Sequence, residues 1–251
     1  MNNKYPGIRR TILSSTILVG GLLGSAVGHA AVLDFEDAMR GQIIDDEYVE
    51  DGVRISAYNR RVDGDGLAVI FDTRVKRGPD GDLKGPFTKV GDGPDEDNEP
   101  YDPGNVLIIQ SEKHNVCADP ASGFCETPDD EGHGGAFFFD FAAPVTLWSI
   151  DFFDIEDSED HGNPDSEILL YGADDTLLAS FYVPATGGDN TWDTFYFDGV
   201  SDVTRLVVEL AGSGAIDNLS YAVVPVPAAV WLFGSGLLGL LGVTVRHKRA
   251  A

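Results

Sequence analysis

Between residues 31 and 223 the chain is a succession of short apolar runs rich in β-branched and aromatic residues, separated by clusters of Gly, Pro, Asp and Asn. Runs of this length and punctuation predict strands. They fall at 31–35, 52–58, 67–72, 105–110, 136–141, 145–155, 167–171, 177–183, 194–197, 203–210 and 215–223. Outside the two termini no comparably long segment has the 3.6-residue period of an amphipathic helix. Gly172-Ala173-Asp174-Asp175 separates two of the runs and has the composition of a hairpin turn. Ten or so strands fit two packed antiparallel sheets. The expected fold is therefore all-β, a single jelly-roll-type β-sandwich over residues 31–223.

The two ends are patterned differently. Lys4, Arg9 and Arg10 precede an apolar stretch over 11–26, and Gly28-His29-Ala30 follows as a small-x-small cleavage site. This is the layout of a secretory signal peptide over residues 1–30, with the mature chain starting at Ala31. Arg9-Arg10-Thr11-Ile12-Leu13 also resembles the core of a twin-arginine signal. At the other end, the 20 residues of 226–245 carry no charge, enough for a helix of roughly 30 Å and a membrane crossing. Arg246, Lys248 and Arg249 come directly after it. By the positive-inside rule they stay cytoplasmic, which puts the residues upstream on the far side of the membrane.

The wording of that tail carries more than hydropathy. Pro225-Val226-Pro227-Ala228-Ala229 leads into Val230-Trp231-Leu232-Phe233-Gly234-Ser235-Gly236 and then the apolar run and the basic end. The segment 224–251 resembles the PEP-CTERM sorting signal in its VPxPA form, with Val226 where the family name has Glu. The resemblance covers about the last tenth of the chain. It implies recognition by an exosortase, a short-lived inner-membrane intermediate held by the C-terminal helix, and delivery to the cell surface or exopolysaccharide matrix of a Gram-negative bacterium. Gly234-Ser235-Gly236-Leu237-Leu238-Gly239 matches the dinucleotide fingerprint literally, but no strand precedes it. Small residues there suit close approach of a partner helix instead.

Charge narrows the partners. The whole chain has a net charge of −25, yet all 42 acidic residues lie between the two ends, against 11 basic ones. So acidic an ectodomain repels nucleic acid and anionic lipid headgroups, and a divalent cation is its natural partner. The plain alternative is a solvated acidic surface that keeps an exported protein soluble. Cys117 and Cys125, with seven residues between them in a Gly- and Pro-containing loop, are the chain's two cysteines. In an exported protein such a pair points to a disulfide.

Two acidic arrangements suggest calcium. Leu33-Asp34-Phe35-Glu36 opens the domain and Ile216-Asp217-Asn218-Leu219 closes it. Terminal strands of a jelly roll commonly pair, which would bring Glu36, Asp34 and Asp217 together, and carboxylates so placed need a cation between them. The arrangement is weakly similar to the structural calcium site of carbohydrate-binding-module jelly rolls. The competing reading makes Asp217-Asn218 a turn cap and leaves Glu36 in water. Asp63-Gly64-Asp65-Gly66 resembles half of a calcium loop without its distal Glu, with an ordinary Asp-Gly hairpin turn as the favoured reading. Asp80-Gly81-Asp82 and Asp95-Glu96-Asp97 are dense but have no ligand spacing, while Asp151, Asp154, Glu156, Asp157, Glu159 and Asp160, after an aromatic strand, offer another cation site, with a solvated loop as the favoured alternative.

No nucleophile elbow and no zinc-binding histidine pattern is present. Trp192, after a polar turn at 187–190, is the aromatic placed to stack on a sugar ring, with core packing as its other reading. Phe137-Phe138-Phe139 and Trp148, Phe152 and Phe153 read as core. The chain is thus expected to be a non-catalytic, calcium-stabilised matrix or glycan-binding module. The alternatives are a glycan-active hydrolase or lyase, since two carboxylates suffice for one, and a structural surface protein with no ligand.

Overall fold

The computed structural model describes residues 30–62, 65–76, 78, 80–90, 100–112, 117, 120–156 and 165–224. The predicted signal peptide up to residue 29 and Asp63 lie outside the described residues. So do the sorting-signal residues Pro225, Pro227, Ala228, Trp231, Arg246, Lys248 and Arg249. Among the described residues no helix is long and apolar enough to cross a membrane.

The fold is all-β. Among the described residues eleven strands follow in order: β1 (Ala30–Leu33), β2 (Val53–Asn59), β3 (Asp65–Gly66), β4 (Ala68–Asp72), β5 (Thr88–Lys89), β6 (Asn105–Ile109), β7 (Gly135–Phe153), β8 (Glu167–Tyr171), β9 (Leu177–Tyr182), β10 (Thr191–Leu210) and β11 (Ala215–Val223). Two pairs of expected strands are continuous. The runs at 136–141 and 145–155 merge into β7, and those at 194–197 and 203–210 merge into β10. Pro144 has no N–H for a ladder, but its fixed extended backbone lets β7 pass straight through. In β10 the junction is made by Asp198, Gly199 and Asp202, all at positive φ. Bulges there bend the strand without ending it.

Those two long strands belong to both layers of a sandwich. The first half of β7 and the second half of β10 pair together, with β2 and β3 on one side and β8 and β9 on the other. The second half of β7 and the first half of β10 join β11, β6 and β4 in the other layer. β1 lies antiparallel to β11, with Leu33 opposite Leu219. The first and last strands of the domain are thus neighbours.

The main core fills the space between the layers with Ile55, Phe137, Phe139, Leu147, Ile150, Phe152, Leu206 and Leu219. A second apolar cluster lies on the other face of β4, β6 and β11, where the segments around Leu83, Phe87 and Cys125 cover Val69, Phe71, Val106 and Ile108. This explains why every residue of β6 is buried: Leu107 and Ile109 enter one cluster, Val106 and Ile108 the other. The Gly-, Pro- and Asp-rich connections are therefore packed cover in part. Cys117 and Cys125 are disulfide-bonded within one of them, and the Cys125 N–H donates to the Gly41 carbonyl at 2.7 Å.

Candidate metal centre

β11 carries one extra residue against β7 between Asp217 and Ser220, where the partners are Asp151 and Ser149. Asn218, at φ 50°, takes up the extra residue. Asn tolerates the left-handed conformation better than most residues. The bulge lets Ile216 and Leu219, three residues apart, both enter the main core, and it turns Asp217 and Asn218 away together. Asn218 donates from its side-chain amide to Asp151 at 2.9 Å, and the Thr194 hydroxyl donates to the other Asp151 oxygen at 2.6 Å.

On the β1 side, the chain turns sharply at Phe35, a non-glycine residue at φ 53°. Asn105 holds that turn by donating from its side-chain amide to the carbonyls of Phe35 and Ala38, at 3.0 and 2.9 Å. The Asn105 backbone N–H donates to Glu36 at 2.5 Å, and Arg74 approaches the same carboxylate at 3.4 Å. Gly104 has φ 82°, a conformation that favours glycine, and a Cβ there would displace the end of the Glu36 side chain.

Asp217 ends up almost out of contact with water, at 2 % exposure, and its Oδ1 has no hydrogen-bond partner. Burial pushes its carboxyl up to about 9, with the neighbouring Asp151, Asp34 and Glu36 adding to the rise and the Asn218 backbone N–H opposing it. Asp151 is also raised, by burial, against the hydrogen bonds from Thr194 and Asn218. An ionised carboxylate in such a place needs a cation or a proton. The donor set is all oxygen, which suits calcium: Asp217 and Glu36 can supply carboxylates, and backbone carbonyls the remaining ligands.

Asp34 and Glu36 lie close enough to Asp217 for their charges to raise its carboxyl, and so does Asp151, which sequence order does not connect to them. Asp65 stands elsewhere, exposed in β3 opposite Tyr58 as part of a hairpin. Trp192 is half-buried within an aromatic cluster. Its ring lies 4.6 Å from that of Tyr101 and 6.0 Å from that of Phe153, with the Lys89 ammonium 5.4 Å from its centre. The geometry is that of packing rather than of an open platform. Trp148, expected in the core, is 48 % exposed. It is the extra residue of a bulge in β7 between Leu147 and Ser149, which turns it outward onto Gly199.

Among the described residues two groups of three acids, neither of them the one around Asp217, place carboxylate oxygens within 4.8 Å of one another. They are Asp80, Asp129 and Asp130, and Asp154, Glu156 and Asp189. The sequence offered Asp154 and Glu156 within a candidate cation site but not Asp189, and it gave the first group no ligand spacing, because each is assembled from separate segments.

No protein-family model matches the chain, and no curated protein matches it. Several solved structures share a weak likeness. A fucose-binding module of Streptococcus pneumoniae is 15 % identical, over 44 % of this chain and 77 % of that one, with a TM-score of 0.27. The lectin domain of lectinolysin, solved with Lewis B antigen, is 14 % identical, over 45 % and 80 %, at 0.26. A cyclase from Fischerella sp. TAU is 12 % identical, over 78 % and 98 %, at 0.36. The similarity to carbohydrate-binding modules is weak, and at these scores it carries nothing about what this chain binds.

Proposed function

We propose that the chain is an exported surface or extracellular-matrix protein, sorted by an exosortase through its C-terminal segment. In this reading its β-sandwich is a non-catalytic module held together by calcium. The observation that carries the calcium reading is Asp217: enclosed, with an oxygen that no donor reaches, and beside three other acids where β1 meets β11. A cation there ties the two ends of the domain to each other. The enclosure of Asp217 and Asp151 favours a structural ion over a site that must admit substrate.

For contact with polysaccharide the proposal looks to exposed aromatics, whose faces can stack on sugar rings. Trp148 is the foremost, fixed by its bulge and by Gly199. Two experiments test the reading. Melting curves with calcium and with chelator, on the parent and on Asp217→Asn, test the ion, and equal behaviour of the two proteins would remove it from this seam. Binding to a glycan array, with Trp148→Ala as comparison, tests the ligand. No binding by either protein would leave a structural surface protein, and turnover of a polysaccharide would make it an enzyme.

A further inference from the structure

A second group of acids lies at the other end of β6. The Glu36 side of the seam meets β6 at Asn105, whereas Gln110, just beyond its last residue, bridges to Asp130. Five residues of strand separate the two positions, roughly 17 Å. Three stretches of chain converge there. The connection between β4 and β5 brings Asp80 and Asp82, the residues before β7 bring Asp129 and Asp130, and the turn into β11 brings Ser213 and Gly214.

Asp80 is only 4 % exposed. One of its oxygens accepts the Leu83 N–H at 3.1 Å, and the other, Oδ2, is buried where no N–H or hydroxyl reaches it. It offers a carboxylate oxygen within 4.8 Å of oxygens from Asp129 and Asp130. Asp130 is anchored from outside the group, by the Ser213 hydroxyl and by the Gly214 N–H at 2.8 Å. Both anchors fix its carboxylate in place. Burial raises Asp80 and Asp130 above the usual carboxylate range, Asp130 adding to the effect on Asp80. A side-chain hydrogen bond between the Asp80 and Asp82 carboxyls raises Asp80 further and holds Asp82 below the usual range, with Lys84 a smaller influence on Asp82; the Arg40 guanidinium lies against Gly78 while donating to the Glu126 carbonyl at 3.4 Å.

We propose that Asp80, Asp129 and Asp130 hold a second divalent cation, of calcium type, independent of the one proposed between β1 and β11. The enclosed Oδ2 of Asp80, which no N–H or hydroxyl reaches and whose carboxyl faces only other acids, distinguishes this group from an ordinary acidic surface, where water would serve each carboxylate. The three described ligands are carboxylates, hard oxygen donors that suit calcium better than zinc. An ion at this point clasps the cover of the second apolar cluster, through Asp80 and Leu83, to the turn that starts β11.

The test counts ions. The full-length chain, purified in neutral detergent and stripped with chelator, is equilibrated with radioactive calcium at neutral pH, and bound ions per chain are measured. Asp80→Asn and Asp129→Asn are each expected to bind one ion fewer than the parent. Asp217→Asn is expected to lose a different one, so that Asp80→Asn/Asp217→Asn loses two. Unchanged counts in both Asp80→Asn and Asp129→Asn overturn the proposal and indicate that the acids share protons instead. The same holds if Asp217→Asn alone abolishes all binding. An unchanged count in Asp217→Asn, with loss in Asp80→Asn, removes the seam ion and leaves this one standing. If Asp80→Asn does not fold, as judged by circular dichroism, Asp129→Asn and the parent decide the matter.

Discussion

Asp217→Asn gives the sharpest test because two effects of the same carboxyl can be separated by pH and by calcium. Asp217 holds its proton to about pH 9 in the folded protein, against an ordinary value of 3.8. Between those limits the folded state without metal binds the more protons, so its stability falls as pH rises. A full proton difference is worth about 1.4 kcal/mol per pH unit, hence up to about 4 kcal/mol between pH 5 and pH 8. Asp80 and Asp130 add a similar dependence, but it is common to parent and variant and cancels in the difference. Urea unfolding in chelator, followed by tryptophan fluorescence at several pH values, should therefore show the parent losing up to about 4 kcal/mol more than Asp217→Asn over that range. Calcium at a hundredfold excess over its dissociation constant should then restore about 2.7 kcal/mol to the parent at pH 8. Most of that gain should be missing in the variant. Parallel pH profiles would show that Asp217 is not a buried, protonated acid in the metal-free protein. Equal gains from calcium would show that the ion sits elsewhere.

Three further outcomes are expected. Phe152→Ala should cost about 3–5 kcal/mol in urea unfolding, since Phe152 is fully buried between the layers, whereas Tyr182→Ala, at an exposed ring, should stay within about 0.5 kcal/mol. Unreduced protein recovered after export should show no free thiol when denatured, and replacing Cys117 and Cys125 with Ser should cost about 2–3 kcal/mol for so short a loop; two titratable thiols would exclude the disulfide in the exported protein. Replacing Arg246, Lys248 and Arg249 with Glu should disturb orientation and surface delivery, measured by labelling intact cells, and normal delivery would contradict the sorting proposal.

Local pattern was the best guide to the fold. Val53–Asn59 alternates buried and exposed positions in register with its apolar residues, and most strand positions follow from such runs. What the pattern does not carry is how far a strand continues. Pro144 and the Asp198-Gly199 pair read as breaks, yet the chain remains extended through both because bulges and missing ladder bonds are tolerated there. Nor does it separate a strand buried on one face from one buried on two: Val106-Leu107-Ile108-Ile109 is simply apolar, and the second cluster is built by segments distant in sequence. The neighbourhood of Asp217 was partly legible, since the terminal strands each deliver an acid. Asp151 was not, because only the register of β11 on β7 puts it opposite Asp217, and the left-handed turns at Phe35 and Asn218 have no composition signal strong enough to announce them. Trp148 misleads for the same reason, as a single bulge moves it from inside to outside.

The central claim is that an ion joins the first and last strands, and a crystal structure grown with calcium, read by its anomalous scattering, addresses it most directly. The account predicts an anomalous peak about 2.3–2.6 Å from the orphaned Asp217 oxygen, with Glu36 or backbone carbonyls completing the shell. Crystals diffracting well enough to place the Asp217 carboxylate, with no such peak beside it at millimolar calcium, would contradict it.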